Sequence, residues 1–317
     1  MRGTALLAAL LGAAACRAPA ADPAAEPAAA PAATASRLDG ARMLAAVGVL
    51  AHDSMEGRAT ATPGNARARR WLLAEFGAIG LEPPVGGHEQ PFAIAAGGGA
   101  PQGVNLVGVI PGRTRPERVL VLGAHLDHLG VRRESVYNGA DDDASGVAAV
   151  LELARWFRAH PPASTVVVAL FDAEEAGSVG SEAFVRTPPV PLDRVATMVN
   201  LDMVGRNAAD ELWIAGTAHW QKLLPVAEAA GERSALTVRL GHDRPGVAGV
   251  DDWTFASDHG SFHRAGIPFL YFGEEDHADY HRPTDDVERI QPAFLLGAAE
   301  TVLDALLVLD TLQAPLR

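Results

Sequence analysis

One cysteine, one lysine and three tyrosines stand among the 317 residues of this chain. With Cys16 as its only thiol, the folded part has no internal disulfide. Lys222 is the single lysine, so nearly every positive charge is arginine, a bias from which no function follows. Positive charge is scarce overall: 26 Lys and Arg stand against 39 Asp and Glu, for a formal net charge of -13. That argues against nucleic acid as a partner, since phosphates demand a basic face, and it disfavours an anionic membrane surface. The apolar run near the N-terminus, Thr4 to Ala15, is too short to cross a bilayer as a helix. Three catalytic signatures are missing as well. There is no Gly-x-Ser-x-Gly elbow of a serine hydrolase, no His-Glu-x-x-His helix, and no Walker-type phosphate loop.

Apolar residues make up 48% of the chain and charged residues 21%, enough for a sizeable globular core. Residues 1–18 read as an export signal, with Arg2 ahead of the apolar run. Cys16 follows Ala13, Ala14 and Ala15 and would be the lipidated first residue of an envelope lipoprotein. Ala18-Pro19-Ala20 offers a competing cut that would give a plainly secreted protein. Residues 19–37 are Ala/Pro-rich and read as a tether, because they cannot bury a core. Residues 38–317 read as one domain.

Within that domain, helical periodicity appears over 38–50, 64–80, 145–160, 178–186, 217–230, 258–265 and 292–312. Strand-like runs fall at 104–110, 118–123, 165–171, 195–201, 212–215, 236–240 and 268–272, and the glycine-rich stretch 86–103 reads as loop. Strands alternating with helices imply an α/β fold, a three-layer α/β/α sandwich around a mixed, mostly parallel central sheet.

Chemistry-bearing residues cluster just beyond the strand-like runs. GAHLDH carries His125 and Asp127, GADDDASG carries Asp141 to Asp143, FDAEEAG carries Glu174 and Glu175, VNLDMVG carries Asp202, and DYHRPTDD carries His281. Buried carboxylates and imidazoles are costly to desolvate unless paired or bound to metal. Parallel α/β sheets bind ligands beyond the carboxyl ends of their strands, so three strands would deliver His125, Glu174, Glu175 and Asp202 to one edge. Taken singly, each has a plainer reading: a solvated loop histidine, an acidic turn capping a helix, an exposed acidic loop, a strand-end cap. Asp141, Asp143, Ser145, Gly146 and Glu152 also fit the spacing of a calcium loop, but Val147 to Arg158 reads as helix where that loop would have to continue. Asp127, two residues after His125, could orient its imidazole. Of the neighbours Glu174 and Glu175, one can hold metal while the other faces a water. Asp258-His259 reads as support or as a helix cap. Nitrogen and carboxylate donors without thiolate suit a hydrolytic zinc centre.

In this order the motifs resemble those of metallopeptidase family 28, the zinc aminopeptidases of the bacterial leucyl aminopeptidase type together with the animal-type glutaminyl cyclases. The resemblance runs from about Leu38 to the C-terminus. It implies two zinc ions per chain: one held by His125 and Asp202, the other by Glu175 and His281, with Asp142 bridging. It also implies Glu174 as general base, Asp127 as the residue orienting His125, and a cis peptide at Asp142-Asp143. The implied reaction is hydrolysis of N-terminal residues from peptide substrates. A tyrosine that polarises the substrate carbonyl in some members has no evident counterpart in DDWTFA, ahead of SDHGSF. Alternatives remain from the sequence: glutaminyl cyclase activity on the same scaffold, a non-catalytic binding domain, and a carboxypeptidase or sugar-lipid deacylase.

Overall fold

The computed structural model describes residues 1, 36–94, 102–247 and 249–316. The export signal and the tether as far as residue 35 lie outside the described residues. Ser36–Arg317 forms one compact unit.

Eight strands make the main sheet: β1 (Glu89–Ala93), β2 (Gln102–Ile110), β3 (Arg115–His125), β6 (Ser164–Phe171), β7 (Val195–Leu201), β8 (Glu211–Ala215), β9 (Thr237–Leu240) and β10 (Phe269–Gly273). Their spatial order is β1-β2-β6-β3-β7-β10-β8-β9. The middle is parallel: β6, β3, β7 and β10 pair in one direction, as do β8 and β9, while β1–β2, β2–β6 and β10–β8 are antiparallel. A short hairpin, β4 (Gly130–Arg132) with β5 (Ser135–Tyr137), stands apart from it.

Alternation along the central strands splits the core in two. Leu120, Leu122 and Ala124 of β3 face α1 (Gly40–Leu50), α2 (Pro63–Ile79), α3 (Gly146–Ala159), α5 (Leu224–Arg233) and α7 (Pro292–Thr311). Val119 and Val121 face the other way, toward Phe184 of α4 (Val179–Arg186) and Phe262 of α6 (His259–Arg264). Helices thus cover both sheet faces, the three-layer sandwich read from the sequence. Helix boundaries follow local chemistry. Thr62 caps α2 by accepting the Asn65 N–H, Pro63 opens its first turn, and Gly80 closes it at φ 78, a left-handed position suited to glycine.

Two expectations are corrected. The stretch 86–103 is not all loop, because Glu89–Ala93 forms the edge strand β1. Pro91 is tolerated there, since an edge strand leaves one side of its backbone unpaired, and Phe92 supplies the buried anchor. The helix expected over 217–230 begins only at Leu224 and extends to Arg233. Pro225 sits in its first turn, where a missing N–H does no harm.

Candidate metal centre

Four adjacent parallel strands end at one place. β3 ends on His125, β7 is followed by Asp202, β6 leads through Asp172 and Ala173 to Glu174 and Glu175, and β10 leads into the loop carrying His281. The fifth contribution is the turn Ala140–Ser145 ahead of α3, in which Asp141, Asp142 and Asp143 are all buried. Gly139 enters that turn at φ 57, where a side chain would run into the Asp142 carbonyl and the His128 ring. The Asp142-Asp143 peptide is cis.

The three aspartates divide their tasks. Asp143 accepts the N–H groups of His125 (3.1 Å), Gly146 (3.0 Å) and Met203 (3.3 Å), which ties β3, α3 and the end of β7 together. Asp141 Oδ1 accepts from Gly205 N–H (2.7 Å) and Ser145 Oγ (3.0 Å). The N–H groups of Asp141 and Asp142 go to Asp285, whose carboxyl burial and the nearby Asp141 charge push up to about 7. Asp142 alone of the three turns its carboxylate to His125 and His281. The calcium-loop spacing is void, since α3 begins at Gly146.

His125 Nε2 lies 3.0 Å from Asp142 Oδ1 and 3.5 Å from Asp202 Oδ1. His281 Nε2 lies 3.2 Å from Asp142 Oδ2 and 3.4 Å from Glu175 Oε2. Donors about 2.0–2.1 Å from a tetrahedral zinc are about 3.3 Å from one another, so these spacings fit zinc ligation. The donor atoms of His125, Asp142 and Asp202 lie within 4.8 Å of one another, as do those of His128, Asp142 and Glu175.

The electrostatics agree. Burial opposes a charged His125, yet Asp202 and Asp142 outweigh it and hold its pKa well above the usual value. Hydrogen bonds to Asp142 and Glu175 raise His281 to about 10. Burial opposes ionisation of Asp142 too, but His128, His125 and His281 pull it well below the ordinary range. Against the same opposition His128 and His281 bring Glu175 down to about 2. A cluster that stabilises positive charge this strongly is suited to a divalent cation.

Asp127 is built in differently from the sequence reading. Its main-chain carbonyl, not its carboxylate, receives His125 Nδ1 at 3.1 Å, and the carboxylate stays 3.8 Å away. That carboxylate is engaged elsewhere, accepting Glu174 N–H at 3.0 Å and Thr60 Oγ1 at 3.2 Å. Glu174 is held above the usual glutamate range, chiefly by burial. Asp258 is fully buried, gives α6 no side-chain cap, and is raised to about 7, chiefly by burial. Its neighbour His259 is lowered to about 3 by burial and donates to the Trp253 carbonyl at 2.8 Å.

Three contributors escaped the sequence reading. His128, the last residue of GAHLDH, is buried with Nδ1 2.7 Å from Glu175 Oε1 and 3.6 Å from Asp142 Oδ2. The approach is close but poorly directed, and neither ring nitrogen has a well-formed hydrogen bond. Its spacing of three from His125 was the available signal. Tyr280 stacks on His281 with ring centroids 3.9 Å apart and lines the pocket. Arg58, from LAHDSMEGR, is 1% exposed. It donates to the carbonyls of Leu50 (2.7 Å), Leu126 (3.0 Å), Asn138 (2.6 Å) and Gly139 (3.0 Å), joining the end of α1 to both loops that present His125 and Asp142. Arg58→Met takes the guanidinium donors from four buried carbonyls, of which Gly139's keeps the Ala144 N–H, and removes a cation from among carboxylates. It should cost on the order of 4 kcal/mol. A melting temperature within about 2 °C of the parent would show that the clasp is dispensable.

The pocket over these groups is about 250 Å³, with Met203, Trp253, Ala256, Tyr271 and Tyr280 completing its wall. Trp253 lies between β9 and α6, stacked on His242 with ring centroids 3.7 Å apart. Histidines and carboxylates at the carboxyl edge of such a sheet define a metallohydrolase-type α/β protein. Residues 105–306 match peptidase family M28, and the chain belongs to that family. A probable zinc metalloprotease of Pyrenophora tritici-repentis is 38% identical over 109 residues, 33% of this chain and 25% of that protein. Aminopeptidase YwaD of Bacillus subtilis is 29% identical over 216 residues, 63% of this chain and 43% of that protein. The curated relatives are longer, the matches spanning from 23% to 55% of their lengths. Among solved structures, a zinc aminopeptidase from Bacillus subtilis is 27% identical with a TM-score of 0.55, over 65% of this chain and 50% of that one. A leucine aminopeptidase precursor from Bacteroides thetaiotaomicron shares the fold at 21% identity, with a TM-score of 0.68 over 85% of this chain and 97% of that one.

Proposed function

We propose that this chain is a zinc-dependent aminopeptidase that removes N-terminal residues from peptides. The observation that carries the reading is the meeting of Glu174 with His125, Asp142, Glu175, Asp202 and His281 around one pocket. In this reading His125 and Asp202 hold one ion, Glu175 and His281 hold the other, and Asp142 serves both. When bound, the two ions supply Lewis acidity, lowering the pKa of water toward neutrality and polarising the scissile carbonyl.

The rest falls to the chain's own groups. Glu174 accepts a proton from the attacking water and returns it to the departing amine nitrogen. Its raised pKa suits a base that must give the proton back near neutrality. Asp127 fixes its N–H, and Ser178 Oγ donates to Oε1 at 3.3 Å, so the carboxylate is aimed before substrate arrives. Asp276 on the pocket wall favours a free α-ammonium. The Tyr271 hydroxyl donates to the Asp202 carbonyl at 3.3 Å, which leaves Tyr280 as the neutral donor for the substrate carbonyl oxygen. Tyr280→Phe should lower kcat about 100-fold while KM and zinc content stay close to the parent's. A parental kcat would remove Tyr280 from that role.

The test of the whole reading is zinc quantitation together with cleavage of a panel of aminoacyl anilides with and without chelator. Chelator-sensitive cleavage is expected. Zinc-loaded protein that cleaves no member of the panel would sink the proposal, and release of ammonia from an N-terminal glutamine peptide would move the assignment to a cyclase.

A further inference from the structure

Asp141 sits one residue before the carboxylate that faces His125 and His281, but it points elsewhere. Its Oδ1 is occupied by Gly205 and Ser145, whereas Oδ2 lies 3.1 Å from His277 Nε2. Glu274 Oε1 lies 3.8 Å from the same nitrogen. The donor atoms of the three residues lie within 4.8 Å of one another. Glu274 is 4% exposed, and its Oε1 has no hydrogen-bond partner. Two buried carboxylates at such range need either a cation or a shared proton between them. The nearby Arg206 is engaged with Asp279 at 2.6 Å.

We propose that Asp141, Glu274 and His277 form a third cation site, separate from the His125/His281 pair, that takes a divalent metal of the zinc or manganese type. One imidazole and two carboxylates suit such a metal, while three protein donors are few for calcium. His277 Nδ1 now accepts Asp279 N–H at 3.2 Å, so Nε2 carries the ring proton. A metal would take the Nε2 lone pair, move that proton to Nδ1 and give up the Asp279 contact. Asp141 belongs to the turn ahead of α3, and Glu274 and His277 belong to the loop that carries His281. A cation here would therefore clasp one ligand-bearing loop to the other.

Crystals of the full chain grown with stoichiometric zinc, and separately with manganese, would be measured on both sides of the metal's absorption edge. The expected result is an anomalous peak between Asp141 Oδ2, Glu274 Oε1 and His277 Nε2, apart from any at the pair. Metal content per chain by mass spectrometry should fall by one equivalent in Glu274→Gln and in His277→Asn. Absence of that peak with either metal overturns the proposal whatever the pair shows, leaving a proton shared between Asp141 and Glu274. Unchanged metal content in both variants overturns it equally. Peaks at the pair alone would leave the peptidase reading standing.

Discussion

Glu174→Gln should keep its fold and its zinc and lose between about 10² and 10⁴ in kcat, the usual worth of a general base. The substitution is nearly isosteric, and the main-chain N–H that seats residue 174 goes to Asp127 regardless of the side chain. No cation-facing contact is lost, because those of this strand end belong to Glu175. The amide cannot take a proton at neutral pH, so a water must transfer it unaided. The check is kcat measured alongside metal content. Parental turnover would exclude Glu174 as the base, while loss of zinc would show it to be a ligand.

Stripping the metal should abolish activity and lower the melting temperature by on the order of 10 °C. An ion present at about a thousand times its Kd stabilises the folded state by about 4 kcal/mol, and a domain of this size shifts about 2–4 °C per kcal/mol. The pH dependence follows from the cation-free cluster. His281, raised to about 10, contributes stability fully present below its unfolded value of 6.5 and lost as pH rises through 10. Glu175, lowered to about 2, contributes stability present above 4.5 and lost as pH falls through 2. Mildly acidic solution thus favours both pairs in the metal-free chain while protons compete for the imidazole that zinc needs. The melting-temperature gap between loaded and stripped protein should widen from about pH 5.5 to about pH 8. Coincident melting curves across that range would mean that no ion is coupled to folding.

The sheet and the site were legible in the sequence for one reason. Each of the four central parallel strands, β6, β3, β7 and β10, is a short apolar run that leads into a polar residue, as with VLVLGA before His125 or MVNL before Asp202. What stayed hidden depends on long-range partners. Arg58 looks like any surface arginine until four carbonyls from distant segments close around it. His128 gains meaning only beside Glu175, fixed by another strand. The orienting contact to His125 went to the Asp127 carbonyl because Glu174 and Thr60 had claimed the carboxylate, a competition no local pattern records. The β4–β5 hairpin turns on Arg133 and Glu134, both at positive φ, without the Asn or Gly that normally announces such a turn.

Trp253 overhangs the reaction chamber from the 241–258 segment, propped by His242 and by the hydrogen bond from His259 to its carbonyl. Its ring also meets Tyr271 of β10 and Trp213 of β8, at centroid distances of 5.7 and 6.3 Å. In the proposed aminopeptidase, this wall of the pocket would therefore be built from another segment than the strand ends that carry His125, Glu174 and Asp202. Substitutions at Trp253 would then reshape the overhang while leaving the main-chain seats of His125, Glu174 and Asp202 in place.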